Sequence, residues 1–157
     1  MSEILLTQEQ LEKLVAGIAQ GATVAQACGI STETLESLYA LAYGTYSSGN
    51  YSDALVVFQA LTLYDPNDVR FWMGLGGARQ ALSQYESAIE AYQMAAVASL
   101  LKNPEPMLHA AFCLIKLGRK EDAKVALESV LAIGENDPQY EKARERARAL
   151  SSLLDGE

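Results

Sequence analysis

The sequence predicts an all-α fold, a solenoid of three helix-turn-helix repeats with an N-terminal helical extension and a C-terminal capping helix. Apolar residues recur with helical spacing along nearly the whole chain, whereas the alternating β-branched pattern of strands is missing. Turn signals are sparse and stand about a dozen to twenty residues apart, which suits helices joined by short loops. The sequence also repeats itself at intervals of 34 and 35 residues.

Composition limits the classes of protein to be considered. With 157 residues, half of them hydrophobic, residues 1–157 are expected to form a single domain with a buried core, which excludes intrinsic disorder. Twelve basic and twenty acidic residues give a net charge of −8, and no basic patch is visible. We therefore expect neither nucleic-acid binding nor attachment to an anionic membrane.

The sequence favours a cytoplasmic protein. Residues 1–10 lack the cationic and apolar segments of a signal peptide. Residues 14–32 form the longest uncharged stretch, and they are too polar for membrane insertion. Two cysteines, Cys28 and Cys113, cannot build a disulfide framework and suggest a reducing compartment.

The N-terminal extension, residues 7–30, is predicted to be helical. Thr7 and Gln10 form a capping box, a shorter helix follows over residues 23–28, and Ser31 can cap the first repeat helix. One face of the first helix carries an apolar stripe at i, i+3, i+4 and i+7: Leu11, Leu14, Val15 and Ile18. This α1 stripe is expected either to form a dimer interface or to pack back on the first repeat.

Three repeat units are predicted, at residues 35–68, 69–102 and 104–137. An alanine recurs in the second helix of each unit: Ala54, Ala88 and Ala123. A large residue follows each alanine by four positions: Phe58, Tyr92 and Leu127. The small residue lets the two helices of a unit approach closely, and the large residue fills the space beside them.

A last helix over residues 138–154 is predicted to close the solenoid, which otherwise leaves its end open. Asp137 and Pro138 begin it, and it carries the charged residues of a capping helix: Glu141, Lys142, Arg144, Glu145, Arg146 and Arg148. Its apolar face consists of Tyr140, Ala143, Ala147, Leu150 and Leu154.

The unit length and the small and large positions resemble the tetratricopeptide repeat, a helix-turn-helix of 34 residues. With Leu35 as position 1, the resemblance implies that positions 5, 9 and 12 of each first helix line a concave groove. Repeat 3 is the most degenerate unit. The nine residues at these positions are Tyr39, Tyr43 and Tyr46 in repeat 1, Met73, Gly77 and Gln80 in repeat 2, and Leu108, Phe112 and Ile115 in repeat 3.

These nine positions are uncharged, and most are apolar or amphipathic, so we expect them to bind an apolar peptide. Tyr39 has the alternative of packing within its own chain, and Gly77 provides either a pocket for an anchor residue or close helix packing. Because no Lys, Arg or Asn occupies positions 5 and 9, the groove cannot clamp a carboxylate as some repeat proteins of this kind do. Arg70 and Lys116 flank the groove and are interpreted as solvated charges, with contact to an acidic ligand as the alternative.

Four runs of sequence, at residues 31–43, 57–62, 74–81 and 109–114, resemble the class II chaperones of bacterial type III secretion, the SycD-like family. The likeness covers about residues 8–150 and is most specific in the centre. It implies a bacterial cytosolic chaperone that holds two hydrophobic translocator proteins soluble and apart before export. Each translocator is expected to place an extended segment in the groove. The resemblance also implies a homodimer formed through the N-terminal helices.

An enzymatic function is not expected. His109 and Cys113 lie one helical turn apart, but no second histidine, third ligand or orienting carboxylate accompanies them. We therefore expect no catalytic residue, no metal site and no cofactor. The alternative function is that of an adaptor or scaffold joining the subunits of a larger assembly.

Overall fold

The structure is a computed structural model that describes residues 6–156. Within that range the chain folds into helices only, which confirms the predicted all-α class. Residues 1–5, half of the stretch expected to lack a signal peptide, and residue 157 lie outside the described residues. The helices are α1 (Gln8–Ala19), α2 (Val24–Ala27), α3 (Thr32–Ser47), α4 (Tyr51–Tyr64), α5 (Val69–Ala81), α6 (Tyr85–Ala98), α7 (Glu105–Lys116), α8 (Lys120–Ala132) and α9 (Glu141–Asp155).

Helices α3 to α9 form the solenoid. Each packs chiefly against the helix before it and the helix after it in sequence, so that α3–α4, α5–α6 and α7–α8 are three stacked hairpins. One apolar cluster joins α3, α4 and α5 with Ala25 of α2 and Ala91 of α6, and a second joins α6, α7, α8 and α9. Among residues 6–156, no helix combines the length and the apolar character that a membrane span needs.

The turn inside each hairpin requires a left-handed backbone at one position. Gly49 and Gly118 adopt this conformation with φ of 84° and 72°. Ser83 takes the same place in the middle hairpin with φ of 59°. Glycine enters this region without a steric penalty, and serine does not, so the middle turn holds a strained residue where its neighbours hold glycine.

The small and large positions of the repeat pack as the sequence predicts. The three alanines at the small position are fully buried, and Phe58 and Tyr92 at the large position are each 2% exposed. A Cβ atom on Gly76 would lie 2.6 Å from Cε1 of Tyr92, far closer than two carbon atoms can approach. A Cβ atom on Gly74 would clash with the Phe58 ring in the same way. The backbone of α5 therefore touches the large residues of both repeats 1 and 2.

The two helices of the N-terminal extension differ in burial: α2 buries Ala25 in the first apolar cluster, whereas α1 does not contribute to it. The predicted capping box is confirmed, because Thr7 and Gln10 exchange side-chain and backbone hydrogen bonds. Helix α1 packs chiefly on α2 and has no buried residue. Leu11, Val15 and Ile18 are 49%, 58% and 43% exposed, so the α1 stripe does not pack back on the first repeat.

The capping helix α9 packs its predicted apolar face on α8, with Ala143 and Ala147 buried. Among the charged residues of α9, Arg144 is buried and only 4% exposed. Its guanidinium group donates to the backbone carbonyls of Gly134 and Asp137, which lie in the loop between α8 and α9. Burial of this charge is possible because carbonyl oxygens and the Glu141 carboxylate surround it.

Candidate functional site: the concave groove

An open cavity of about 940 Å³ runs along the first helices of the three repeats, α3, α5 and α7. We call this cavity the groove. Its walls include seven of the nine residues predicted from repeat positions: Tyr39, Tyr43, Tyr46, Met73, Gly77, Gln80 and Phe112. The groove is not filled by the chain's own side chains, and an extended ligand can therefore enter it.

The expectation for Leu108 and Ile115 is wrong. Leu108 is fully buried in the second apolar cluster, and Ile115 is half-buried against the same cluster. Their places in the wall are taken by the next residues in sequence, His109 and Lys116. The reason is that the lining face turns by about one residue along the solenoid, from positions 5, 9 and 12 in α3 to 6, 9 and 13 in α7.

The repeat-1 end of the groove is aromatic. The Tyr39 ring lies between its neighbours, with its centroid 6.2 Å from Phe58 and 5.9 Å from Phe71. Tyr39 thus packs within its own chain and also lines the groove. Tyr43 is 59% exposed and is free to contact a ligand. Aromatic side chains of this kind offer large apolar area at a low entropic cost on binding.

Arg70 also lines the repeat-1 end of the groove. The interpretation of Arg70 as a solvated charge is therefore incomplete. Its guanidinium carbon lies 4.8 Å from the Tyr39 ring centroid, within cation–π range. It hydrogen-bonds the carboxylates of Glu36 and Asp68, so its charge is compensated by the chain itself. The hydrogen bond from Arg70 holds the pKa of Glu36 below its usual range.

Gly77 leaves open space in the middle of the groove. A Cβ atom there would lie 3.6 Å from the Tyr46 ring, an ordinary van der Waals distance. Close helix packing therefore does not require a glycine at this position, in contrast to Gly76 one residue earlier. Of the two interpretations of Gly77, the structure favours space for a ligand side chain.

The wall becomes polar between repeats 2 and 3. The Tyr92 hydroxyl donates to Oε1 of Gln80 at 2.7 Å, and burial raises the pKa of that hydroxyl. His109 stacks on Tyr92 with ring centroids 5.2 Å apart. Burial lowers the pKa of His109, so its ring is neutral near neutral pH.

The His109–Cys113 pair does not form a reactive site. Cys113 is buried, and burial raises the pKa of its thiol to about 11, which keeps it protonated and unreactive. Within residues 6–156, no group of three or more His, Cys, Asp or Glu side chains is placed to hold a metal ion.

Known proteins match the chain over most of its length. Models of the tetratricopeptide repeat match residues 35–68 and 95–147. The Low calcium response locus protein H of Yersinia pseudotuberculosis is 38% identical over 149 residues, which cover 95% of this chain and 86% of the relative. The solved type III secretion translocator chaperone SycD of Yersinia enterocolitica is 40% identical with a TM-score of 0.79, covering 85% of this chain and 98% of SycD. The chain belongs to the SycD-like family of type III secretion translocator chaperones.

Another solved structure of this family contains a ligand. PcrH in complex with the chaperone binding region of PopD is 36% identical to this chain, with a TM-score of 0.77, and covers 82% of this chain and 96% of PcrH. PcrH has also been solved with the chaperone binding region of PopB. SycD is a translocator chaperone, the class of protein that the sequence resembles.

Ten residues of the groove wall in this chain lie outside repeat positions 5, 9 and 12 and were not predicted by them. They are Phe58, Val69, Arg70, Gly74, Ala81, Tyr85, Tyr92, Asn103, His109 and Lys116. Phe58 and Tyr92 could have been expected, because the large residue of the second helix in repeats 1 and 2 reaches the groove between two first helices. Arg70 and Lys116 were expected beside the groove, and the turning of the lining face brings His109 and Lys116 into its wall.

Proposed function

We propose that the chain is a bacterial cytoplasmic chaperone that binds two hydrophobic translocator proteins, each through an extended segment laid in the groove. Binding keeps the translocators soluble and apart before export. The observation that supports the proposal most directly is the open groove itself. Its wall is aromatic at the repeat-1 end, and among residues 6–156 no Asp or Glu side chain lines it.

The physical chemistry of the groove suits such a ligand. A protein destined for a membrane carries apolar segments that aggregate in water, and covering about 500 Å² of apolar surface contributes on the order of 10 kcal/mol before association costs. An extended segment also brings backbone carbonyls that need donors. The Oε1 atom of Gln80 is occupied by Tyr92, which leaves the Gln80 amide N–H groups for such a carbonyl. The family relative PcrH, solved with segments of PopD and of PopB, supports the choice of ligand.

Replacing Tyr43 and Phe112 together by alanine is expected to weaken binding of a translocator segment roughly 10- to 30-fold, because two aromatic contacts are lost. Tyr43 is exposed and Phe112 is half-buried in the groove wall, so the variant should fold. Fluorescence anisotropy with a labelled apolar segment gives the affinity, and co-expression with the translocator gives its solubility.

The matched control replaces two exposed apolar residues outside the groove wall, Val56 and Leu63, which are 64% and 68% exposed. This control should bind as the native chain does. A folded Tyr43→Ala/Phe112→Ala variant that keeps the translocator soluble would reject the groove as the binding site. A native chain that has no effect on translocator solubility would favour an adaptor function.

We further propose that the α1 stripe forms a homodimer interface. Its support is the exposure of Leu11, Val15 and Ile18 on a helix that buries none of its own residues.

Val15→Asp is expected to convert the dimer to a monomer, since a charge would be buried without a partner. Light scattering coupled to size-exclusion chromatography measures the mass. Ala16→Asp, on the opposite side of α1, should leave the dimer intact, and equal masses for the two variants would argue against this interface.

A further inference from the structure

The repeat-3 end of the groove carries two cations beside an aromatic ring. Lys116 lines the groove at the end of α7. Arg146 reaches over from α9, with its guanidinium carbon 5.4 Å from the Phe112 ring centroid. Phe112 is itself part of the wall, so both cations lie where a ligand on Phe112 would pass.

The two ends of the groove differ in how their cations are compensated. Arg70 at the repeat-1 end is held by Glu36 and Asp68. Within residues 6–156, by contrast, neither Lys116 nor Arg146 has a carboxylate oxygen within 4.0 Å, although several other basic residues of the chain do. Both side chains belong to exposed residues, so their charges are available to a partner.

The surrounding charges favour an acidic partner at this end. No Asp or Glu lines the groove among the described residues, and the one carboxylate that influences His109 belongs to Glu105 on the same helix. His109 is neutral near neutral pH and does not add to the positive charge. The chain as a whole has a net charge of −8 and repels acidic segments elsewhere. Cations without a carboxylate partner beside the groove therefore favour the approach of an acidic segment to this end of the groove.

We propose that an acidic side chain of the bound segment docks between Lys116 and Arg146, within two residues of an apolar side chain seated on Phe112. This inference rests on the proposed function and adds a charge requirement to the apolar one. An extended chain advances about 3.3 Å per residue, so a side chain two residues away lies roughly 6–7 Å along the segment. That reach matches the 5.4 Å between the Arg146 guanidinium and the Phe112 ring.

The requirement for an acidic residue distinguishes this proposal from binding through apolar contacts alone. An apolar segment without an acidic residue would still bury its side chains at the repeat-1 end, but it would lose the ion pairs at the repeat-3 end. The pairs would be partly shielded by Phe112 and the ligand, and they would weaken with salt because both cations are exposed.

The test uses two fluorescein-labelled extended peptides with the same apolar residues, one with Glu and one with Gln two residues from the apolar side chain expected on Phe112. Binding to the native chain is measured by anisotropy at about 50 and about 300 mM NaCl. The Glu peptide should bind roughly 3- to 10-fold more tightly at low salt, with a smaller difference at high salt. The advantage should vanish in Lys116→Gln/Arg146→Gln and persist in Lys13→Gln/Lys120→Gln, a control with the same charge loss outside the groove wall.

The possible outcomes test the acidic requirement and the proposed function separately. Equal affinity of the Glu and Gln peptides for the native chain would overturn the acidic requirement while leaving apolar binding intact. An advantage of the Glu peptide that survives in Lys116→Gln/Arg146→Gln would also overturn it, because the acidic residue would then dock elsewhere. If neither peptide binds the native chain, the proposed function fails and the charge requirement fails with it.

Discussion

Replacing Arg144 by methionine is expected to lower the free energy of unfolding by about 2–4 kcal/mol, because two loop carbonyls would lose their charged donor. Arg144 lies on α9 and is 4% exposed. Its Nη1 atom donates to the Gly134 carbonyl, and its Nη2 atom donates to the Asp137 carbonyl at 2.9 Å. The side chain thus ties the loop after α8 to the capping helix.

The loss has two parts. Methionine fills much of the volume of the arginine stem but leaves the Gly134 and Asp137 carbonyls without their donor. It also removes the partner of Glu141, whose pKa is held below its usual range first by the hydrogen bond from Arg144 and then by that from Arg148. The unpaired Glu141 is exposed and rehydrates, so most of the loss should come from the two carbonyls.

Chemical denaturation monitored by circular dichroism measures this change, and hydrogen exchange in residues 133–140 locates it. Arg148→Met is the matched control, because Arg148 contacts the same Glu141 carboxylate from an exposed position. We expect a change below about 1 kcal/mol for the control. Similar losses in the two variants would mean that the carbonyl contacts of Arg144 contribute little.

The sequence predicted the fold of this chain well because the residues that define the repeat pack against near neighbours in sequence. The capping box of Thr7 and Gln10, and the cap at Ser31, depend only on neighbours three residues away. The buried alanines and the large residues Phe58 and Tyr92 recur at fixed intervals, so one unit supports the interpretation of the next. Short-range rules of this kind need no knowledge of the tertiary structure.

The groove was predicted less completely because its wall depends on how the repeats stack. Leu108 occupies the expected position 5, yet the turn of α7 buries it and brings His109 into the wall. The burial of Arg144 could not be predicted either, because in the sequence Arg144 is one charge among several on the capping helix. The loop carbonyls of Gly134 and Asp137, brought beside α9 by the fold, join the Glu141 carboxylate in making its burial favourable.

Gly76→Ala is expected to lower the free energy of unfolding by about 3 kcal/mol, at the upper end of the usual cost of overpacking a core. The added Cβ atom would lie 2.6 Å from Cε1 and 2.8 Å from Cδ1 of Tyr92. Tyr92 cannot withdraw easily, because it is 2% exposed, stacks on His109 and donates to Gln80. Either the ring or helix α5 must shift, and both movements disturb the packing of the α5–α6 hairpin.

Gly77→Ala, one residue later on the same helix, is the matched control with the opposite expected sign. Its Cβ atom would meet Tyr46 at 3.6 Å, an ordinary contact, while the helix gains up to about 1 kcal/mol because alanine is the better helix former. Urea denaturation should therefore separate the two variants by about 4 kcal/mol. Equal stabilities would mean that Tyr92 yields to the added methyl group and that the glycine at position 8 is not required for close packing of the hairpin.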